Sequence, residues 1–66
     1  MNIQLNGEAF EIAEPATIAV LLEAMSLTGK RLAVEVNEDI VPRSQHNDFQ
    51  LSPGDRVEVV HAIGGG

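Results

Sequence analysis

The chain ends in Gly64-Gly65-Gly66, so its terminal carboxylate has no side chain near it. Three glycines make an arm of up to roughly 10 Å at about 3.3–3.6 Å per residue, slim enough to thread a narrow channel. With no Cβ beside Gly66, that carboxylate can enter the nucleotide site of another enzyme, where ATP can activate it as an acyl adenylate. A frayed end is the plainer reading of such a tail. A Gly-Gly ending says little by itself and becomes informative when it closes a small β-rich chain.

No other set of residues composes a reaction centre. His46 and His61 have no partner at i+4 and the chain has no cysteine, which disfavours a metal site and leaves no thiolate nucleophile. His46 lies in a polar stretch and reads as a solvated side chain. His61 continues the alternation of Val57 and Val59 at a strand end. Glu11 with Glu14, and Glu38 with Asp39, read as solvated faces, because paired-carboxylate chemistry needs a cleft that drives two pKa values apart. Ser26, Ser44 and Ser52 lack a nucleophile-elbow context, and Gly7, Gly29 and Gly54 are isolated turn glycines rather than a phosphate-cradling loop.

The elements that would carry the tail follow from periodicity. Ile3 and Leu5 alternate with polar neighbours up to Asn6-Gly7, the dipeptide that suits a type I′ hairpin turn. A two-residue loop there pairs Leu5 with Glu8, Ile3 with Phe10 and Met1 with Ile12, gathering the large apolar side chains on one face. Beyond Pro15, Thr17 is a helix N-cap and Ile18, Leu21, Leu22 and Met25 form one apolar stripe; the segment ends either at Gly29 or earlier, with Ser26-Leu27-Thr28 already a loop. Leu32, Val34 and Val36 mark a third strand that turns at Asn37-Glu38-Asp39 into a short strand at Ile40-Val41. Residues 43–48 read as polar connection held down by Phe49 and Leu51. Ser52-Pro53-Gly54-Asp55 is a turn before a last strand with Val57 and Val59 inward. The order predicts an α+β fold of the β-grasp plan, a mixed sheet wrapped around one main helix, with a different α+β sandwich as the alternative. The expected division is a domain over residues 1–63 and a flexible glycine tail over 64–66.

Sixty-six residues allow one domain with a thin core, so a self-walled pocket of roughly 300–1,000 Å³ is not expected. Four Lys and Arg against ten Asp and Glu give a net charge of −6, which disfavours nucleic acid and anionic membranes and suits a basic face on a protein partner. The cysteine-free composition, with no secretion signal or membrane-span pattern, makes the cytoplasm the expected location.

The stretches Val36-Asn37-Glu38-Asp39-Ile40-Val41-Pro42-Arg43, Leu51-Ser52-Pro53-Gly54-Asp55-Arg56-Val57-Glu58-Val59-Val60 and His61-Ala62-Ile63-Gly64-Gly65-Gly66 together resemble a known family, the ubiquitin-like sulfur carrier proteins of thiamine (thiazole) biosynthesis. The resemblance covers the whole chain. It implies that an E1-like adenylyltransferase, using ATP and Mg, adenylates the Gly66 carboxylate. Sulfur drawn from cysteine, by a donor such as a cysteine desulfurase, then replaces the adenylate to give a thiocarboxylate. The acceptor it implies is thiazole synthase. On this reading the chain is a protein co-substrate that binds no cofactor of its own, not an enzyme, and its third glycine extends the minimal Gly-Gly ending.

Alternation along the last strand also turns Val60 and Ala62 away from the helix side. With Gly64 and Gly65 they would form the partner-binding region, and Glu58 would help to steer a basic partner. Two alternatives stand beside this one. The small subunit of molybdopterin synthase would share the terminal chemistry and differ in its acceptor. A plain β-grasp binding module would keep its activity after loss of Gly65 and Gly66.

Overall fold

The computed structural model describes residues 1–61, and the Ala62 to Gly66 part of the predicted site lies outside the described residues. Five strands form one mixed sheet: β1 (Asn2–Leu5), β2 (Glu8–Glu11), β3 (Leu32–Val36), β4 (Asp39–Ile40) and β5 (Arg56–His61), in the order β2-β1-β5-β3-β4. The β1–β5 pair is parallel and the other pairs are antiparallel. The last strand is thus the middle one. This is the β-grasp arrangement, with one helix, α1 (Ile18–Ala24), packed against one sheet face.

Both hairpins are set by their turns. Asn6 and Gly7 have φ of 50° and 85°, and Asn37 and Glu38 have φ of 52° and 75°, the two successive positive values of a type I′ turn. The first turn gives the expected register, Leu5 opposite Glu8 and Ile3 opposite Phe10. It is extended by the Ile12 N–H donating to the Met1 carbonyl at 2.9 Å. The second pairs Val36 with Asp39 and Glu35 with Ile40. Gly54, at φ 85°, completes the turn in which the Asp55 N–H donates to the Ser52 carbonyl at 3.1 Å.

A seven-residue helix is far below the roughly 12–15 residues at which an isolated helix becomes even marginal, so packing and caps must hold α1. Ile18, Leu21 and Leu22 are buried against Ile3, Val34 and Val57 of the sheet. Burial of each such side chain is worth about 1.5–3 kcal/mol. The early N–H groups of α1 all have acceptors: Ile18 donates to the Phe49 carbonyl at 3.1 Å, Ala19 to the His46 carbonyl at 3.0 Å and Val20 to Thr17 Oγ1 at 3.2 Å. The helix stops earlier than Gly29. Ser26 adopts φ 60°, Ser26 N–H reaches the Glu23 carbonyl and Leu27 N–H reaches the Leu22 carbonyl at 2.8 Å, the Schellman pair of bonds.

The polar connection is also more ordered than expected. Residues Arg43–Gln45 form a 3₁₀ turn, and His46 behind it is a core residue with 7% exposure, not a solvated side chain. Its Nε2 lies 3.1 Å from the Val41 carbonyl, which can only accept, so Nε2 carries the proton of this bond. The sequence reading missed this because the flanking residues are polar while the turn folds the ring beneath itself. His61, in contrast, is exposed at the end of β5.

Candidate functional site

β5 is fixed along its length before it releases the tail. Asn6 donates its backbone N–H to the Val57 carbonyl at 2.9 Å, and its side chain then spans Val59: the Val59 N–H donates to Asn6 Oδ1 at 2.9 Å, and Asn6 Nδ2 donates to the Val59 carbonyl at 3.3 Å. Here β1 has already turned away into its hairpin. The carboxamide, with a donor and an acceptor side by side, stands in for the missing backbone. Asn37 does the matching work at the other end of the strand. The Arg56 N–H donates to Asn37 Oδ1 at 3.0 Å and the Asn37 N–H donates to the Arg56 carbonyl at 2.7 Å. Asn37 Nδ2 also donates to Asp55 Oδ1 at 3.1 Å, tying in the preceding turn. Neither asparagine role was foreseen. The available signal was asparagine at the first position of both two-residue turns.

Val57 and Val59 point into the core while Glu58 and Val60 are exposed on the far face, as alternation predicts. Val60 is 55% exposed and lies opposite Ala33 on β3; Glu58 lies opposite Glu35. Ile40, which the sequence reading placed in a strand but not on this surface, follows Glu35 in register and is 72% exposed. The helix-distal face therefore carries Val60, Ala33 and Ile40 around two carboxylates. The one ion pair among the described residues, Arg56 with Glu38 at 3.8 Å, is exposed on both sides and leaves these carboxylates unengaged.

Among the described residues no three His, Cys, Asp or Glu side chains converge as a metal site would require, and Glu11, Glu14, Glu38 and Asp39 are exposed as expected. Two grooves of about 410 and 420 Å³, open to solvent and not self-walled, run beside β1 and β5, with Gln4 and Arg56 lining both. A smaller cavity of about 180 Å³ lies beside α1.

The fold by itself is shared by proteins of more than one role, and comparison with known proteins decides the family. The ThiS family model matches residues 3–66, through the glycine ending. The chain belongs to the ThiS family. These are ubiquitin-like sulfur carriers of thiamine biosynthesis. The chain is 34% identical over 65 residues to the sulfur carrier protein ThiS of Bacillus subtilis, covering 97% of this chain and 98% of that one. It is 35% identical over its whole length to a thiazole synthase of Paramagnetospirillum magneticum, of which the match covers 20%. The crystal structure of a ThiS thiamine biosynthesis protein from Geobacter metallireducens superposes with a TM-score of 0.86 at 29% identity, covering all of both chains. The ThiS likeness thus extends over the whole fold, tail included.

Proposed function

We propose that this ThiS-family chain carries sulfur on the carboxyl carbon of Gly66 and serves its partner enzymes as a co-substrate without catalysing a reaction itself. The observation that supports this is the position of β5, the strand nearest in sequence to the glycine ending, which is central in the sheet and pinned by Asn6 and Asn37. An E1-like adenylyltransferase, with its own ATP and Mg, converts the carboxylate into an acyl adenylate. Sulfur drawn from cysteine as a persulfide on a desulfurase attacks the acyl carbon and displaces AMP, and a thiol reductant then cleaves the S–S bond of the resulting acyl disulfide to leave the thiocarboxylate. This chain needs no cofactor for either step, since nucleotide and metal belong to the partner, and we place it in the cytoplasm with that partner's ATP supply.

Thiazole synthase is the proposed acceptor. Support comes from the thiazole synthase relative, in which a sequence like this one occupies a fifth of the protein. The outer face with Val60, Ala33 and Ile40, flanked by Glu58 and Glu35, is the proposed seat of the adenylyltransferase. Apolar contact there would supply affinity and the carboxylates would steer a basic rim. Ala62, Gly64 and Gly65 would continue this contact into the partner's channel.

Intact-mass spectrometry after incubation with ATP, the adenylyltransferase and a cysteine-derived sulfur source tests the proposal. The expected result is a gain equal to exchange of one oxygen for sulfur, confined to the C-terminal fragment and lost when Gly66 is deleted. An active enzyme that yields neither adenylate nor that gain would leave the binding-module reading in its place.

A further inference from the structure

On the side of the molecule away from the carrier surface, the 180 Å³ cavity is walled by Leu22 of α1, by Leu27 and Leu32 on either side of the following loop, and by Lys30, Arg43 and His46. The chain has only four Lys and Arg in all, yet two of them line this one cavity of a protein with net charge −6. Both are exposed, and neither is in an ion pair among the described residues. His46 provides a separate sign of a built site. It is more than nine-tenths buried, its Nε2 is used by the Val41 carbonyl, and its Nδ1 has no hydrogen-bond partner among the described residues. Among the described residues no side-chain nitrogen or oxygen is both sealed off and unpaired, so Nδ1 is not sealed off, and His46 is part of the cavity lining.

We propose that this cavity binds a small phosphate monoester with an apolar substituent. Ligand sites combine apolar walls with a few placed polar groups, and the three leucines with three nitrogen-bearing side chains have that composition. Arg43 can engage two phosphoryl oxygens through its planar fork, while Lys30 adds a compact charge. With Nε2 protonated, the neutral ring presents Nδ1 as an acceptor, suited to the P–OH of a phosphate monoanion. A volume of about 180 Å³ admits a phosphoryl group and one small ring. The site lies on this chain alone and does not depend on the carrier proposal.

The test is titration of the full ¹⁵N-labelled chain with phenyl phosphate, inorganic phosphate and phenol at fixed ionic strength, followed by amide shifts. Phenyl phosphate is expected to give saturable shifts centred on Leu27, Lys30, His46 and Asn47, and to bind more tightly than either fragment. The K30A/R43A double variant, which removes two exposed side chains, should weaken it by about tenfold or more. R31A and R56A each delete one cation that does not line the cavity and should stay within about twofold of wild type. Absence of saturable shifts overturns the proposal, as does equal weakening by R31A or R56A. Binding of inorganic phosphate as tight as that of phenyl phosphate overturns the organic substituent, and equally tight binding of phenol overturns the role of the phosphate.

Discussion

Asn6 and Val59, 53 residues apart in the chain, are joined through both polar atoms of one carboxamide, so the turn of the first hairpin holds the strand that launches the tail. N6G separates the two duties of this residue, because glycine satisfies the turn's positive φ and has no side chain to reach Val59. The expected loss is about 1–2 kcal/mol in denaturant unfolding, from two net hydrogen bonds of modest worth. Amide exchange should quicken most at Val59. Unchanged exchange there would mean that the carboxamide does not hold the strand.

Among the described residues Thr17 is the only side chain that caps α1, and the helix is too short to spare it. T17A should cost about 1 kcal/mol, and T17S should recover most of that by restoring an acceptor for the Val20 N–H. Equal unfolding midpoints for T17A and T17S would show that the packing of Ile18 and Leu21 alone sets the helix start.

His46 is a core histidine, and replacement tests its structural role apart from the tail. H46L keeps the apolar bulk and leaves the Val41 carbonyl unpaired in the interior, a loss of about 1–3 kcal/mol. The thiocarboxylate yield per folded molecule should match wild type, because Val41 and His46 lie away from the outer sheet face. A fall in yield at full folding would place this turn within the adenylyltransferase contact.

How far these features could be read from sequence depends on how local their causes are. The first hairpin was legible because Asn6-Gly7 fixes turn type and thereby register, and the helix stripe was legible because Ile18, Leu21 and Leu22 must share a face. The end of α1 was narrowed only to Ser26-Leu27-Thr28 or Gly29, because the choice of Ser26, which takes a positive φ and places Leu27 over the helix, is made by packing and not by the nearby glycine. The burial of His46 and the latches from Asn6 and Asn37 depend on segments distant in sequence. For the surface, alternation correctly exposed Glu58 and Val60 but could not add Ile40, whose place follows only once Asn37-Glu38 is known to be a two-residue turn.

Val60 tests the proposed contact face. V60D changes a side chain that is already more than half exposed, so stability should stay within about 0.5 kcal/mol of wild type. The KM of the adenylyltransferase for the carrier should rise by about tenfold if Val60 lies near the centre of the contact. I40D should act in the same direction. Wild-type KM for both variants with a normal fold would move the docking face elsewhere on the sheet.

Glu35 and Glu58 stand directly opposite each other on neighbouring strands of that face, a like-charge pair that opposes folding. Their retention beside an exposed apolar patch makes sense if a cationic partner group relieves the repulsion in the complex. E35Q should therefore stabilise the free chain by about a few tenths of a kcal/mol, and slow association with the adenylyltransferase at low salt. The difference in association rate between E35Q and wild type should shrink as salt rises toward 1 M, where the screening length falls to about 3 Å. Stopped-flow association at several ionic strengths measures this. A stabilised E35Q that associates at the wild-type rate under all conditions would show that the pair contributes repulsion to the fold and nothing to the encounter.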